Sequence, residues 1–171
     1  MATTSQIEKE FFSEHKQSVR LARRRLKKLY DAKLLKRERS HVNYEYVYYL
    51  QKPSQIRHQL LVVDFYQKIK KYGTIMEFAP EKSMGDIRPD AVCKIVKNNQ
   101  LHLFCVEVEL SNNGFDQEKY EAFYYSRKYQ EWFLVFPKVI IISDKKTNIA
   151  PSKIRFIQLS TEMKYMESIF K

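Results

Sequence analysis

At 171 residues the chain fits one ordinary domain, or a small module joined to a modest one. Its 44% hydrophobic and 14% aromatic content, with only 3 glycines, excludes a disordered or low-complexity chain, and no apolar run reaches the roughly 18 residues of a membrane span. The net charge of +11 points to an acidic partner, nucleic acid before an anionic membrane.

The charge is concentrated. Between Lys16 and Arg39 eleven Lys or Arg residues stand against two acids, Asp31 and Glu38, a local net of +9. Residues 1–12 lack the basic head and apolar stretch of a secretory signal. Cys93 and Cys105 sit in apolar runs without metal-ligand spacing, so a cytoplasmic protein with reduced, buried thiols is expected.

A boundary is expected near Lys52-Pro53, where a proline follows a strand-like run, giving parts 1–52 and 53–171. In the first part Thr4 or Ser5 caps a short helix over 6–12. After a polar break at 13–17, Ser18 caps a longer helix to about Lys33. Val19, Ala22, Leu26, Leu29 and Leu34 recur at helical spacing, and Ile7, Phe11 and Phe12 are expected to pack against them. Arg20, Arg23, Arg24, Lys27 and Lys28 fall largely away from that stripe. A helix with one apolar and one cationic face, second in a helix pair, has the form of a recognition helix.

Residues 36–44 and 45–50 then read as strand-like flanks around a polar turn, a hairpin wing whose Arg37 and Arg39 reach phosphates. The expectation for residues 1–52 is a winged helix-turn-helix that binds double-stranded DNA without a cofactor. The alternative is a solvated basic helix that only maintains solubility. A winged helix usually carries one more helix ahead of this pair. Its support is expected from the second part of the chain or from a second subunit, as a homodimer would supply.

In the second part residues 57–71 read as a helix with Leu60, Val63 and Ile69 facing a core, followed by a strand at 74–78. Residues 86–96 and 101–110 read as paired strands around the turn Lys97-Asn98-Asn99-Gln100. Residues 116–132 read as one long helix with Tyr120, Phe123, Tyr124 and Trp132 inward, 138–143 as a buried strand, and a final strand and helix close the chain. The fold class is α/β, more closely α+β, with a mixed sheet in the second part.

The acids of this part form a candidate site. Strand alternation puts Glu107 and Glu109 on one face, and Asp90 in the paired strand can sit across from them. Converging carboxylates repel one another unless a cation joins them. Mg2+ or Mn2+ is the candidate cofactor, with Asp90, Glu107 and Glu77 as ligands, Glu109 and Lys94 as catalytic candidates, and Lys119 entering from the following helix. The other reading places these acids on an exposed strand, paired with nearby lysines. His15, His41, His58 and His102 lack ligand spacing, and no Gly-rich phosphate loop occurs.

Pro89-Asp90, followed after a hairpin by Glu107-Val108-Glu109, resembles the PD-(D/E)XK nuclease-like superfamily, with Glu77 in the place of the additional acid many members carry. The sequence departs from that pattern at the superfamily's lysine, two positions after the glutamate, which is Glu109 here. Some restriction endonucleases of the superfamily also have glutamate there.

A longer series of segments runs in order: Leu29-Tyr30-Asp31-Ala32-Lys33-Leu34-Leu35, Val47-Tyr48-Tyr49-Leu50, Arg57-His58-Gln59-Leu60, Arg88-Pro89-Asp90-Ala91, Val106-Glu107-Val108-Glu109 and Lys119-Tyr120. Together they resemble the replication-relaxation family of plasmid and mobile-element proteins over residues 4 to 145. That resemblance implies a winged helix followed by a nuclease-like domain, with an accessory DNA-binding role in replication, transfer or regulation. The chain departs from it in the first helix and in a short spacer between the parts. Two other functions stay open: a Mg2+- or Mn2+-dependent DNA endonuclease, and a DNA-tethered module that captures a replication, transfer or host-defence enzyme.

Overall fold

A computed structural model of the chain describes residues 1–40, 44–111 and 114–171. It is an α+β protein that divides into two compact units, Met1–Gln67 and Lys68–Lys171.

In the first unit β1 (Ala2–Thr3) leads directly into α1 (Thr4–Phe11). The helix starts where it does because Thr3 and Gln6 cap each other. The Gln6 amide donates to Thr3 Oγ1 at 3.1 Å, and the Thr3 amide donates to Gln6 Oε1 at 2.9 Å. The cap is therefore Thr3 and not Thr4 or Ser5, whose hydroxyl donates to Glu45 instead. Helix α2 (Ser18–Asp31) follows, with Gln17 at its N-cap and Ser18 as its first residue, and buries Ala22 and Leu26.

Helix α2 stops before Lys33, which adopts a left-handed conformation at φ 59°. The Lys33 and Leu34 amides fold back onto the Tyr30 and Leu29 carbonyls at 2.9 and 3.0 Å, the paired bonds of a Schellman termination. Leu34 thus falls beyond the reversal and is exposed, as are Val19 and Phe11, which the apolar pattern placed inward.

Strands β2 (Lys36–Arg39) and β3 (Tyr46–Tyr49) pair antiparallel, and β1 adds to the other edge of β3. His41, Val42 and Asn43 of the expected turn lie outside the described residues. Val47, Tyr48 and Tyr49 are buried. Helix α3 (Ile56–Ile69) supplies the third helical support. Gln6 Nε2 donates to the Leu60 carbonyl at 3.1 Å and to Asp64 at 2.7 Å, and Gln67 Nε2 donates to the Gln6 carbonyl at 2.6 Å. These bonds join α1 to α3 within the first unit.

The second unit is built on a five-stranded mixed sheet of order β4-β5-β6-β7-β8. Strands β4 (Thr74–Pro80), β5 (Ala91–Lys97) and β6 (Gln100–Val108) form an antiparallel meander. Asn98 and Asn99 take φ of 50° and 60° in the tight turn between β5 and β6. Residues 86–90, expected as strand, precede β5, and the ladder begins only after Pro89, which has no amide hydrogen to give.

Helix α4 (Gln117–Tyr125), capped by Asp116, crosses to β7 (Lys138–Ile142), which runs parallel to β6, and β8 (Phe156–Leu159) runs parallel to β7. The four residues Val139 to Ile142 are all buried, as a parallel strand covered on both faces requires. The long helix expected over 116–132 is interrupted: Arg127 turns left-handed at φ 58° and a 3-10 turn, Lys128–Glu131, follows. Tyr120 and Phe123 still reach the core with Val92, Cys105, Val139 and Ile141, and Tyr124, Tyr129, Trp132 and Phe136 pack around it. The closing helix is a 3-10 segment, Met166–Phe170. Among the described residues no helix is long and apolar enough to cross a membrane.

Candidate functional site

The first candidate surface is the outward face of α2. Successive helical residues advance by about 100°, so burying Ala22 and Leu26 turns Arg20, Arg23, Arg24, Lys27 and Lys28 to solvent. All five are exposed. They are not equivalent. Lys27 pairs with Asp31 at 2.6 Å, which compensates its charge locally, and Arg20 Nη1 donates to Gln17 at 3.4 Å. Arg25, outside the expected set, is also exposed. With Phe12, Leu21, Arg24 and Lys28 it lines a cavity of about 270 Å3 beside α1. Periodicity alone gave no signal for this cavity, because it depends on where α1 lies.

The hairpin contributes differently from what charge alone suggests. The Arg37 guanidinium lies 4.1 Å from the Tyr30 ring centre and 4.2 Å from that of Tyr46, stacked between the two. A hydrogen bond with Tyr48, its partner across the ladder, holds its pKa above the ordinary arginine value. Arg37 therefore ties β2 to the end of α2. Arg39 is exposed, with Nε donating to the Tyr44 carbonyl at 3.3 Å, and Glu38 pairs with Lys52 at 2.6 Å.

In the second unit the β5–β6 hairpin brings Asp90 and Glu107 together, one rung beyond the Ala91–Val106 pair. Asp90 Oδ2 accepts the Val108 amide at 2.7 Å and so continues the ladder where β5 has not yet begun. Glu107 Oε1 accepts the Tyr120 hydroxyl at 2.6 Å and pairs with Lys119 at 2.8 Å. Burial pushes the Glu107 carboxyl above its usual range, and the nearby Asp90 charge adds to this while Lys119 and Tyr120 oppose it. The Tyr120 hydroxyl is pushed well up, by burial first.

The other acids go elsewhere. Glu109 accepts the Ser111 amide and hydroxyl at 2.7 and 2.5 Å. Glu77 pairs with Lys82 at 2.5 Å and Lys94 at 2.7 Å, and these two cations, Lys82 foremost, pull its pKa down. Lys94 lies four residues along the strand from Asp90, about 13 Å at the usual rise per residue. Glu77 and Lys94 thus form a pair apart from Asp90 and Glu107. Among the described residues no group of three or more His, Cys, Asp or Glu is placed to hold a metal ion. In this arrangement the Lys119 ammonium engages the Glu107 carboxylate.

Both cysteines are buried and unpaired with each other, with Cys93 pushed up to about 12 by burial and Cys105 pushed up as well. His102 stacks on Phe104 and meets Phe170 edge-on, while His15 is exposed. No family model matches the chain, and neither a curated protein nor a solved structure matches it.

Proposed function

We propose that this protein binds duplex DNA as an accessory factor of a plasmid, phage or other mobile element, acting in replication, transfer or regulation. Its first unit is a winged helix with α2 as the recognition helix, and its second is a nuclease-like domain that does no hydrolysis. The observation that carries this reading is the row of exposed cations on α2, backed by a buried apolar stripe and flanked by a hairpin anchored through Arg37. Such a helix fits a major groove, where phosphate contacts give affinity and one or two arginines read base edges. The place in a mobile element rests on the sequence resemblance alone.

The second unit is read as non-catalytic because Glu109, at the superfamily's lysine position, is bonded to Ser111, and Lys119 is held by Glu107. A metal-dependent endonuclease is the second reading, favoured by the adjacency of Asp90 and Glu107 on paired strands.

Gel titration of supercoiled plasmid and a short duplex, in EDTA and in Mn2+, separates the two. The expected result is a salt-sensitive shift without cutting in either condition. Absence of any shift overturns DNA binding. Mn2+-dependent nicking that disappears in Asp90→Asn overturns the non-catalytic assignment. Asn is the informative substitution because it removes the charge while keeping an oxygen for the Val108 amide.

A further inference from the structure

We propose that the cavity between α2 and Phe12, the residue that ends α1, seats a phosphate group of the DNA backbone, with Arg25 as its principal cation. This rests on α2 being the DNA-binding helix and adds to Arg24 and Lys28 of the outward row a cation, Arg25, that the row does not contain. The cavity is lined by Phe12, Leu21, Arg24, Arg25 and Lys28 and measures about 270 Å3. At about 30 Å3 per water, that is room for a tetrahedral oxyanion with part of its hydration shell.

Its lining suits such a group. Three cations meet two apolar side chains, which keep water from one side and strengthen the Coulomb attraction there. Among the described residues no carboxylate pairs with Arg24, Arg25 or Lys28, whereas Lys27 is held by Asp31. Arg25 precedes the buried Leu26, so it stands on the flank of α2 that carries Leu21 and meets Phe12, and not on the outward face with Arg20, Arg23 and Lys27. From that flank it meets a phosphate at the edge of the groove that α2 enters. Its planar fork can bind two phosphate oxygens at once, which a lysine cannot.

The test is a fluorescence-anisotropy titration of the full chain with a labelled duplex between about 50 and 200 mM NaCl. Wild type is compared with Arg25→Ala, Arg23→Ala and Lys9→Ala, the last an exposed cation on α1 as a charge control. Alanine at an exposed helical position preserves the fold, which circular dichroism verifies. Arg25→Ala is expected to lower the salt slope by about one and the affinity by roughly 3- to 10-fold, and Lys9→Ala to do neither.

If Arg25→Ala behaves like Lys9→Ala while Arg23→Ala lowers the slope, the cavity proposal is overturned and the reading of α2 stands. If wild type shows no salt-dependent binding, both fall. A melting series in sodium phosphate against sodium chloride at equal ionic strength separates the sources of phosphate. Stabilisation by phosphate that Arg25→Ala abolishes, with an unchanged DNA slope, would make this a small-anion site and overturn the backbone assignment.

Discussion

Two carboxylates in the same sheet carry opposite signatures. Glu107 is held above its ordinary pKa of 4.5 mainly by burial, so its protonated form favours the folded state. Its contribution is fully present below the unfolded value and is lost as pH rises through the folded one. Urea denaturation across that range should therefore show wild-type stability declining above pH 4.5, and Glu107→Gln should lack this decline. Equal pH dependence in both proteins would remove burial as the dominant influence on Glu107. Glu77 has the reverse sign. Lys82 and Lys94 depress its pKa, so its contribution is present above 4.5 and lost as pH falls through the folded value. Glu77→Gln should cost about 1 kcal/mol at neutral pH and converge with wild type in acid, measured by the same denaturation series.

At the level of elements, α2 and its hairpin act together. Arg37→Met removes both ring contacts and the Tyr48 hydrogen bond, and should lower the stability of the first unit by about 1–2 kcal/mol. Amide exchange across β2 and β3 would report the loosening; unchanged protection would mean the stack anchors nothing. Asp31→Asn releases Lys27 and removes an acid from the end of α2, where the helix dipole disfavours it. DNA affinity should rise by roughly 2- to 5-fold with a steeper salt slope, the mark of one more cation available to phosphate. A flat response would mean that Lys27 does not face DNA. Between elements, Gly73 precedes β4, and a Cβ there would lie 2.2 Å from the Val96 carbonyl oxygen. Gly73→Ala should thus destabilise by about 1–3 kcal/mol in a thermal melt.

Across the whole molecule, the legible features were those set by local periodicity. The cationic face of α2 followed from the Ala22–Leu26 stripe, and the meeting of Asp90 with Glu107 followed from alternation on strands joined by the Asn98-Asn99 turn. What stayed hidden depends on contacts remote in sequence. Strand β1 is two residues long and exists only because Val47 and Tyr48 lie opposite it. The support from α3 hangs on Gln6 bonding to Leu60 and Asp64, and polar pairs fifty residues apart leave no periodic trace. The pairing of Glu77 with Lys94 depends on the β4 register, which shifts between Ile75 and Glu77. The break at Arg127 was masked because aromatic residues continue on both sides of it.

The charge has the same lesson at this scale. Of a net +11, a local +9 falls between Lys16 and Arg39, in one helix, the strand after it and the residues beside them. The most direct test of DNA binding is therefore the salt dependence of duplex affinity for wild type and the triple variant Arg20→Ala, Arg23→Ala, Arg24→Ala. The account predicts a linear fall of log affinity with log salt in wild type, and a slope shallower by about two to three units in the variant. Wild-type binding whose affinity and slope are unchanged by the triple substitution, or no duplex binding at all, would contradict it.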